Sequence, residues 1–185
     1  MPRHPNLLKR SRAALIIVDV QERFAPVIND MDAIVGNIVK LVRGCKILDI
    51  PVFYTEQYPK GLGKTVKEIV QYLPDIEPVE KLRFSICCEN ALMKPLKAKA
   101  VRQIILVGIE THVCMLQSAL DFTEAGFQVH VVKDATGSRK NINRDTALQR
   151  MVQQGITVTT TESALFELTE FAGTDEFKQI ATLVK

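Results

Sequence analysis

The chain has 185 residues, 46% of them hydrophobic, which is enough for a sizeable buried core and the usual length of one domain. Its 24 basic and 21 acidic residues leave a formal charge of +3 and are interspersed rather than gathered into a stripe or tail, so composition calls for no nucleic acid partner. No apolar run nears the roughly 20 residues that cross a bilayer, which argues against a membrane partner.

The opening MPRHPNLLKRSR is basic, but the run after it, AALIIVDV (13–20), is short and ends in Asp19 and Val20 without a small-residue cleavage pattern. It reads as a first strand, and a cytoplasmic location is the default expectation. The next helical pattern spans Met31 to Ile50, with Ile34, Ile38, Leu41, Val42, Cys45 and Leu48 on one face. Further strand-like runs are PVFYTEQ (51–57), RQIILVGI (102–109), FQVHVVKD (127–134) and ITVTTTES (156–163). Helical patterns over Asn90–Ala100, His112–Ala125 and Asn143–Gln154 lie between them, the last two stopped by Gly126 and Gly155. Between Gln57 and Ser85 the pattern is irregular, with Pro59, Gly61, Gly63, Pro74 and Pro78, and a loop of that length is often functional.

Alternating strands and helices predict a three-layer α/β/α, Rossmann-like fold with a central, mostly parallel sheet of about six strands, in one domain over residues 1–185. Runs such as LIIV and IILV are apolar on both faces, as in a sheet covered on each side. Four cysteines (Cys45, Cys87, Cys88 and Cys114) make no CxxC pair, and His4, His112 and His130 are scattered, so reduced thiols and no structural zinc are expected.

In open α/β sheets, ligands bind beyond the carboxyl ends of the strands. That rule brings Asp19, Glu56, Gln57 and Cys114 toward one rim. With Thr111 as N-cap, Cys114 falls at N3 of the following helix, where free N–H groups and the helix dipole favour a thiolate and lower its pKa. Position alone leaves two readings open: Cys114 as nucleophile or as core filler, and Asp19 as general base or loop cap. Lys81, taken alone, reads as a solvated side chain.

The segments LIIVDVQERF, EKLRFS and LVGIETHVCM, in that order, closely resemble the three signature segments of the isochorismatase-like cysteine hydrolase superfamily. The similarity extends from about Ala13 to Leu168. The resemblance implies Asp19 as general base, Lys81 as the cation that holds base and thiol, and Cys114 as nucleophile. It also implies a non-proline cis peptide at Ile109–Glu110, aiming the Glu110 and Cys114 N–H groups at one oxyanion. Gln21, Phe24, Glu56, Gln57 and Tyr58 are expected to line a substrate pocket.

The implied reaction cleaves a C–N (amide or ureido-like) or ester-like bond of a small molecule through a thioester. With Asp19 available, His112 is assigned no acid/base role, and Cys87 and Cys88 are expected to pack. Nicotinamidases of the superfamily build a metal site from an Asp-x-His pattern and a second histidine, whereas the matching YTEQYPKGLGK has no histidine, so no metal or cofactor is implied. Isochorismatases proper need no cysteine nucleophile, and Cys114 points away from their vinyl ether. A homo-oligomer, dimer or tetramer, is expected, with Phe166, Leu168 and Phe171 available for an interface or for the core. The alternative is a non-catalytic ligand- or protein-binding member of the same fold. A dinucleotide site is disfavoured, because DVQERF follows the first strand where a GxGxxG would stand.

Overall fold

The computed structural model describes residues 3–185. Six strands form one wholly parallel sheet: β1 (Ala13–Val18), β2 (Val52–Gln57), β3 (Val79–Lys81), β4 (Gln103–Ile109), β5 (Gln128–Gly137) and β6 (Thr157–Thr159). Their spatial order is β3-β2-β1-β4-β5-β6. The helices are α1 (Met31–Ile47), the short α2 (Pro59–Leu62) and α3 (Lys67–Val70), α4 (Asn90–Ala98), α5 (Leu116–Glu124), α6 (Asn141–Gln153), α7 (Thr161–Thr169) and α8 (Asp175–Val184).

Side-chain alternation sorts the core into two layers. Leu15, Ile17, Ile105 and Val107 face one side, where they pack with Ile38, Leu41, Leu165 and Ile180 of α1, α7 and α8. Ile16, Val18, Ile104 and Leu106 face the other, with Leu92, Leu96, Phe122 and Met151 of α4, α5 and α6. Every residue of β1 and β4 is buried, which explains their continuous apolar character and contributes about 1.5–3 kcal/mol for each large aliphatic side chain.

Three predicted elements shift. The strand expected over 156–163 ends at Thr159, because Thr160 caps α7 by accepting the Ser163 amide. The helix expected from His112 opens with a π turn, Thr111–Met115, before α5. The irregular region after Gln57 contains α2, α3 and β3, the edge strand that ends in Lys81. Of the C-terminal apolar residues, Leu168 is core, Phe166 packs on Phe177, and Phe171 is exposed. No helix of the described residues is long and apolar enough to cross a membrane.

Candidate active site

The chain runs from β1 to β2 on one side of the sheet, and β4 continues it on the other, so the crevice past the carboxyl ends of β1 and β4 is where a ligand fits this topology. Asp19 follows β1 directly, in a left-handed conformation (φ 51°) that Asp tolerates better than most side chains. Its amide donates to the Thr55 carbonyl at 3.2 Å. Gly108 explains how β4 comes so close: its φ is +117°, and a Cβ there would stand 2.2 Å from the Val18 carbonyl oxygen, so any side chain would push the two strands apart.

Lys81 crosses from the sheet edge to reach this point. Its Nζ donates to Asp19 Oδ2 at 2.6 Å and to Gln57 Oε1 at 2.7 Å, with the Arg83 and Phe84 carbonyls each at 3.2 Å. Neither side chain of the ion pair is exposed. Three protons facing four acceptors leave no buried ammonium hydrogen unpaired, the condition under which a buried charge is tolerated. The solvated lysine that local sequence suggests is overturned, because β2 and the 82–85 loop enclose it.

Cys114 is 7% exposed, in the π turn, on the same side of the sheet as Val18 and Ile16. Thr111 is not the N-cap: Glu110 holds that position, and the Thr111 hydroxyl lies 3.0 Å from that of Thr136. Thr136 spends its proton on the Gly108 carbonyl (2.7 Å), so Thr111 is the donor of the pair. This relay ties the turn to the end of β4. The Val113 and Met115 amides both donate to the Glu110 carbonyl, while the Glu110 amide donates to no turn or cap carbonyl among the described residues. The Ile109–Glu110 bond is cis.

The expected lowering of the Cys114 pKa is corrected. Burial pushes the thiol up to about 12, the Asp19 carboxylate adds to the rise, and Lys81 opposes it. Desolvation of a thiolate outweighs the pull of one helix end. The thiol thus senses both charged partners, yet it makes no hydrogen bond of standard geometry to either.

Asp19, Lys81 and Cys114 all lie inside the span matched by a known family. The isochorismatase domain model matches residues 13–163. The chain belongs to the isochorismatase family. Isochorismatase family protein 1B of Dictyostelium discoideum is 41% identical over 94% of this chain and 86% of its own. The MAR1 ribonuclease structure from Caenorhabditis elegans superposes with a TM-score of 0.91 at 38% identity, over 96% of this chain and 91% of that one. The Escherichia coli YcaC gene product, described as an octameric hydrolase of unknown specificity, gives a TM-score of 0.89 at 29% identity, over 99% and 91% of the two chains.

Within this isochorismatase fold the five expected pocket residues separate. Tyr58 is half exposed and, with Lys60, Glu80, Leu82 and Arg83, lines a cleft of about 590 Å³ against Lys81. Gln57 bridges Lys81 and the Leu82 carbonyl. Gln21 is fully buried and spends its amide on backbone: it donates to the Gln57 and Gly63 carbonyls and accepts the Gln57 amide. Glu56 points to the opposite face of β2, accepting the Thr65 amide at 2.8 Å, with Lys64 at 3.5 Å. Phe24 packs against the core layer of α1, on the far side of the sheet from Cys114. Gln21, Glu56 and Phe24 therefore shape the loops rather than face the cleft.

Several residues around this candidate site escape a local reading of the sequence. Thr55 donates to Asp19 Oδ1 at 2.7 Å. Its signal was the period of β2, which places Thr55 and Gln57 on one face. The Glu110 carboxylate accepts both the Arg139 amide and its Nε, each at 3.0 Å, joining the ends of β4 and β5. The His112 ring nitrogens meet Ser138 Oγ (3.0 Å) and Asn143 Nδ2 (3.4 Å), which makes His112 a strut to α6. Ser118 Oγ, one turn past Cys114, accepts the Ile86 amide and anchors the segment after Lys81. Among the described residues no three His, Cys, Asp or Glu side chains gather as metal ligands.

Proposed function

We propose that this protein is a cysteine hydrolase that cleaves a C–N or ester-like bond of a small molecule, with Cys114 as nucleophile, Asp19 as general base and Lys81 as the charge that holds the base in place. The observation that carries this reading is the fully buried 2.6 Å ion pair between Lys81 and Asp19 together with the buried Cys114 thiol, whose pKa both charges influence. Membership of the isochorismatase family and the hydrolase description of the YcaC neighbour support it.

In the first half-reaction Asp19 takes the Sγ proton as the sulfur attacks the carbonyl carbon, and the Glu110 and Cys114 amides face the developing oxyanion. Collapse breaks the C–N or C–O bond, and the leaving group takes the proton back from Asp19. In the second, Asp19 deprotonates a water that attacks the thioester, and the sulfur leaves with that proton. Lys81 offsets the Asp19 charge before attack and the negative charge of the intermediate after the proton has moved to Asp19. The cleft beside Lys81 is of small-molecule size. Self-association is part of the proposal, supported by the octameric YcaC neighbour.

The ribonuclease reading suggested by the nematode neighbour needs a free cation at a phosphodiester. Lys81 is already neutralised by Asp19, whereas Lys60 and Arg83 in the cleft have no carboxylate within 4.0 Å among the described residues, so RNA is one arm of the test. The test incubates the protein with p-nitrophenyl acetate, simple amides, ureido compounds and RNA, with acid quench and peptide mass spectrometry. Acylation of Cys114, lost in Cys114→Ser and slowed at least about 100-fold in Asp19→Asn, is the expected result. Hydrolysis that survives Cys114→Ser, or a complete absence of acylation and turnover, would overturn the reading.

A further inference from the structure

A second, larger cleft opens at the other end of the sheet. Its volume is about 650 Å³, and Arg12, Gln103 and Gln128, at the amino ends of β1, β4 and β5, lie in its wall. The six residues of β1 separate it from Asp19 by about 20 Å. It is therefore independent of the proposed catalytic centre.

Charge marks this cleft. Its lining includes Arg3, Lys9, Arg12 and Arg102 against a single acid, Glu170. Removing these four cations and one acid from the chain's 24 and 21 leaves 20 of each, so the whole formal surplus of +3 lies here. Arg3 is committed: it pairs with Glu170 at 3.3 Å and donates to the Leu8 and Glu167 carbonyls. Lys9, Arg12 and Arg102 are exposed, and none has a carboxylate within 4.0 Å among the described residues.

Their backbones are held in place. The Arg12 carbonyl accepts the Arg102 and Gln103 amides at 2.8 and 3.0 Å, which sets the backbones of the two arginines side by side just ahead of adjoining strands. The buried Gln103 accepts the Lys9 amide and donates to the Leu7 carbonyl and to Gln128 Oε1, pinning the segment that carries Lys9. The three cations line one cleft with no counter-charge, Arg102 Nη1 donating only to the Val101 carbonyl at 3.1 Å, and an anion with several oxygens offsets their charge while accepting hydrogen bonds.

We infer that this cleft binds a small molecule through a phosphate or pyrophosphate group held by Arg12, Arg102 and Lys9. The bland alternative is that these cations offset the carbonyl ends of α4 and α5, which predicts an effect on stability and none on binding.

The probe is inorganic pyrophosphate, titrated calorimetrically against the full chain at fixed ionic strength, with sulfate as the reference anion. Pyrophosphate should bind at least about 10-fold more tightly than sulfate, and Arg12→Gln/Arg102→Gln should lose at least that factor while Cys114→Ser loses nothing. In the unmodified protein, pyrophosphate but not sulfate should shield Arg12 and Arg102 from phenylglyoxal, read by peptide mass spectrometry. That measurement decides the matter even where the double variant folds poorly. Equal affinity for the two anions, no shielding, or binding to single-stranded RNA that grows with length while pyrophosphate gives none would each overturn the inference.

Discussion

Thr55 and Lys81 hold opposite oxygens of one carboxylate: Thr55 Oγ1 donates to Asp19 Oδ1 at 2.7 Å, and Lys81 Nζ to Oδ2 at 2.6 Å. With both oxygens engaged, the carboxylate has a fixed plane, set by β2 on one side and β3 on the other. A hydrogen bond to an ionised group contributes about 1.5–3 kcal/mol. Thr55→Val should lower stability by about that amount and reduce kcat/KM on the acylating substrate about 10-fold, whereas Thr55→Ser should retain most of both. Wild-type kinetics in the valine variant would show that Asp19 needs no such partner.

The Lys81–Asp19 pair also makes a thermodynamic prediction, because breaking a buried pair costs more than deleting it. Asp19→Asn leaves the ammonium facing neutral acceptors and should cost about 3–5 kcal/mol in urea denaturation. Adding Lys81→Met in the same chain should recover much of that stability and none of the activity. If the single variant unfolds at the wild-type midpoint, the pair is not the buried, coupled unit that its geometry describes.

The thiol gives a pH test. With the Cys114 pKa pushed up to about 12 by burial, the resting site holds no thiolate near neutrality. Iodoacetamide alkylation of Cys114, followed by peptide mass spectrometry, should therefore keep rising through pH 9 without a plateau, and Lys81→Met should slow it further by removing the one charge that lowers the pKa. Exposed Cys88 serves as the accessibility control. A plateau below pH 8 would mean that a thiolate exists before substrate arrives.

His130 sits in β5 with no exposure, and neither ring nitrogen has a hydrogen-bond partner among the described residues. Burial lowers its pKa from 6.5 to about 4. The folded state thus binds fewer protons than the unfolded one across that window, so stability present above pH 6.5 is lost as the pH falls toward 4, by about 3 kcal/mol. Denaturation midpoints measured between pH 7 and 4 should show this slope, and His130→Phe should flatten it whatever its effect on absolute stability.

What the sequence determined is what local chemistry determines. Continuous apolar runs identified β1 and β4, because a strand covered on both faces has no polar side to show. The segments containing Asp19, Lys81 and Cys114 were legible as the pattern of a family. Elements whose signal is short or borrowed were not: β3 has three residues at a sheet edge, and the threonine-rich run after Thr159 reads as strand until Thr160 caps α7.

Tertiary structure decided the rest, since burial and hydrogen-bond partners come from segments far apart in the chain. It turned Lys81 from a solvated cation into a fully enclosed one held by β1, β2 and the 82–85 loop. It gave Gln21 and Glu56 backbone partners in place of a ligand, and it reversed the direction of the Cys114 pKa, because a helix end acts along the sequence whereas desolvation is imposed by the packed core around it.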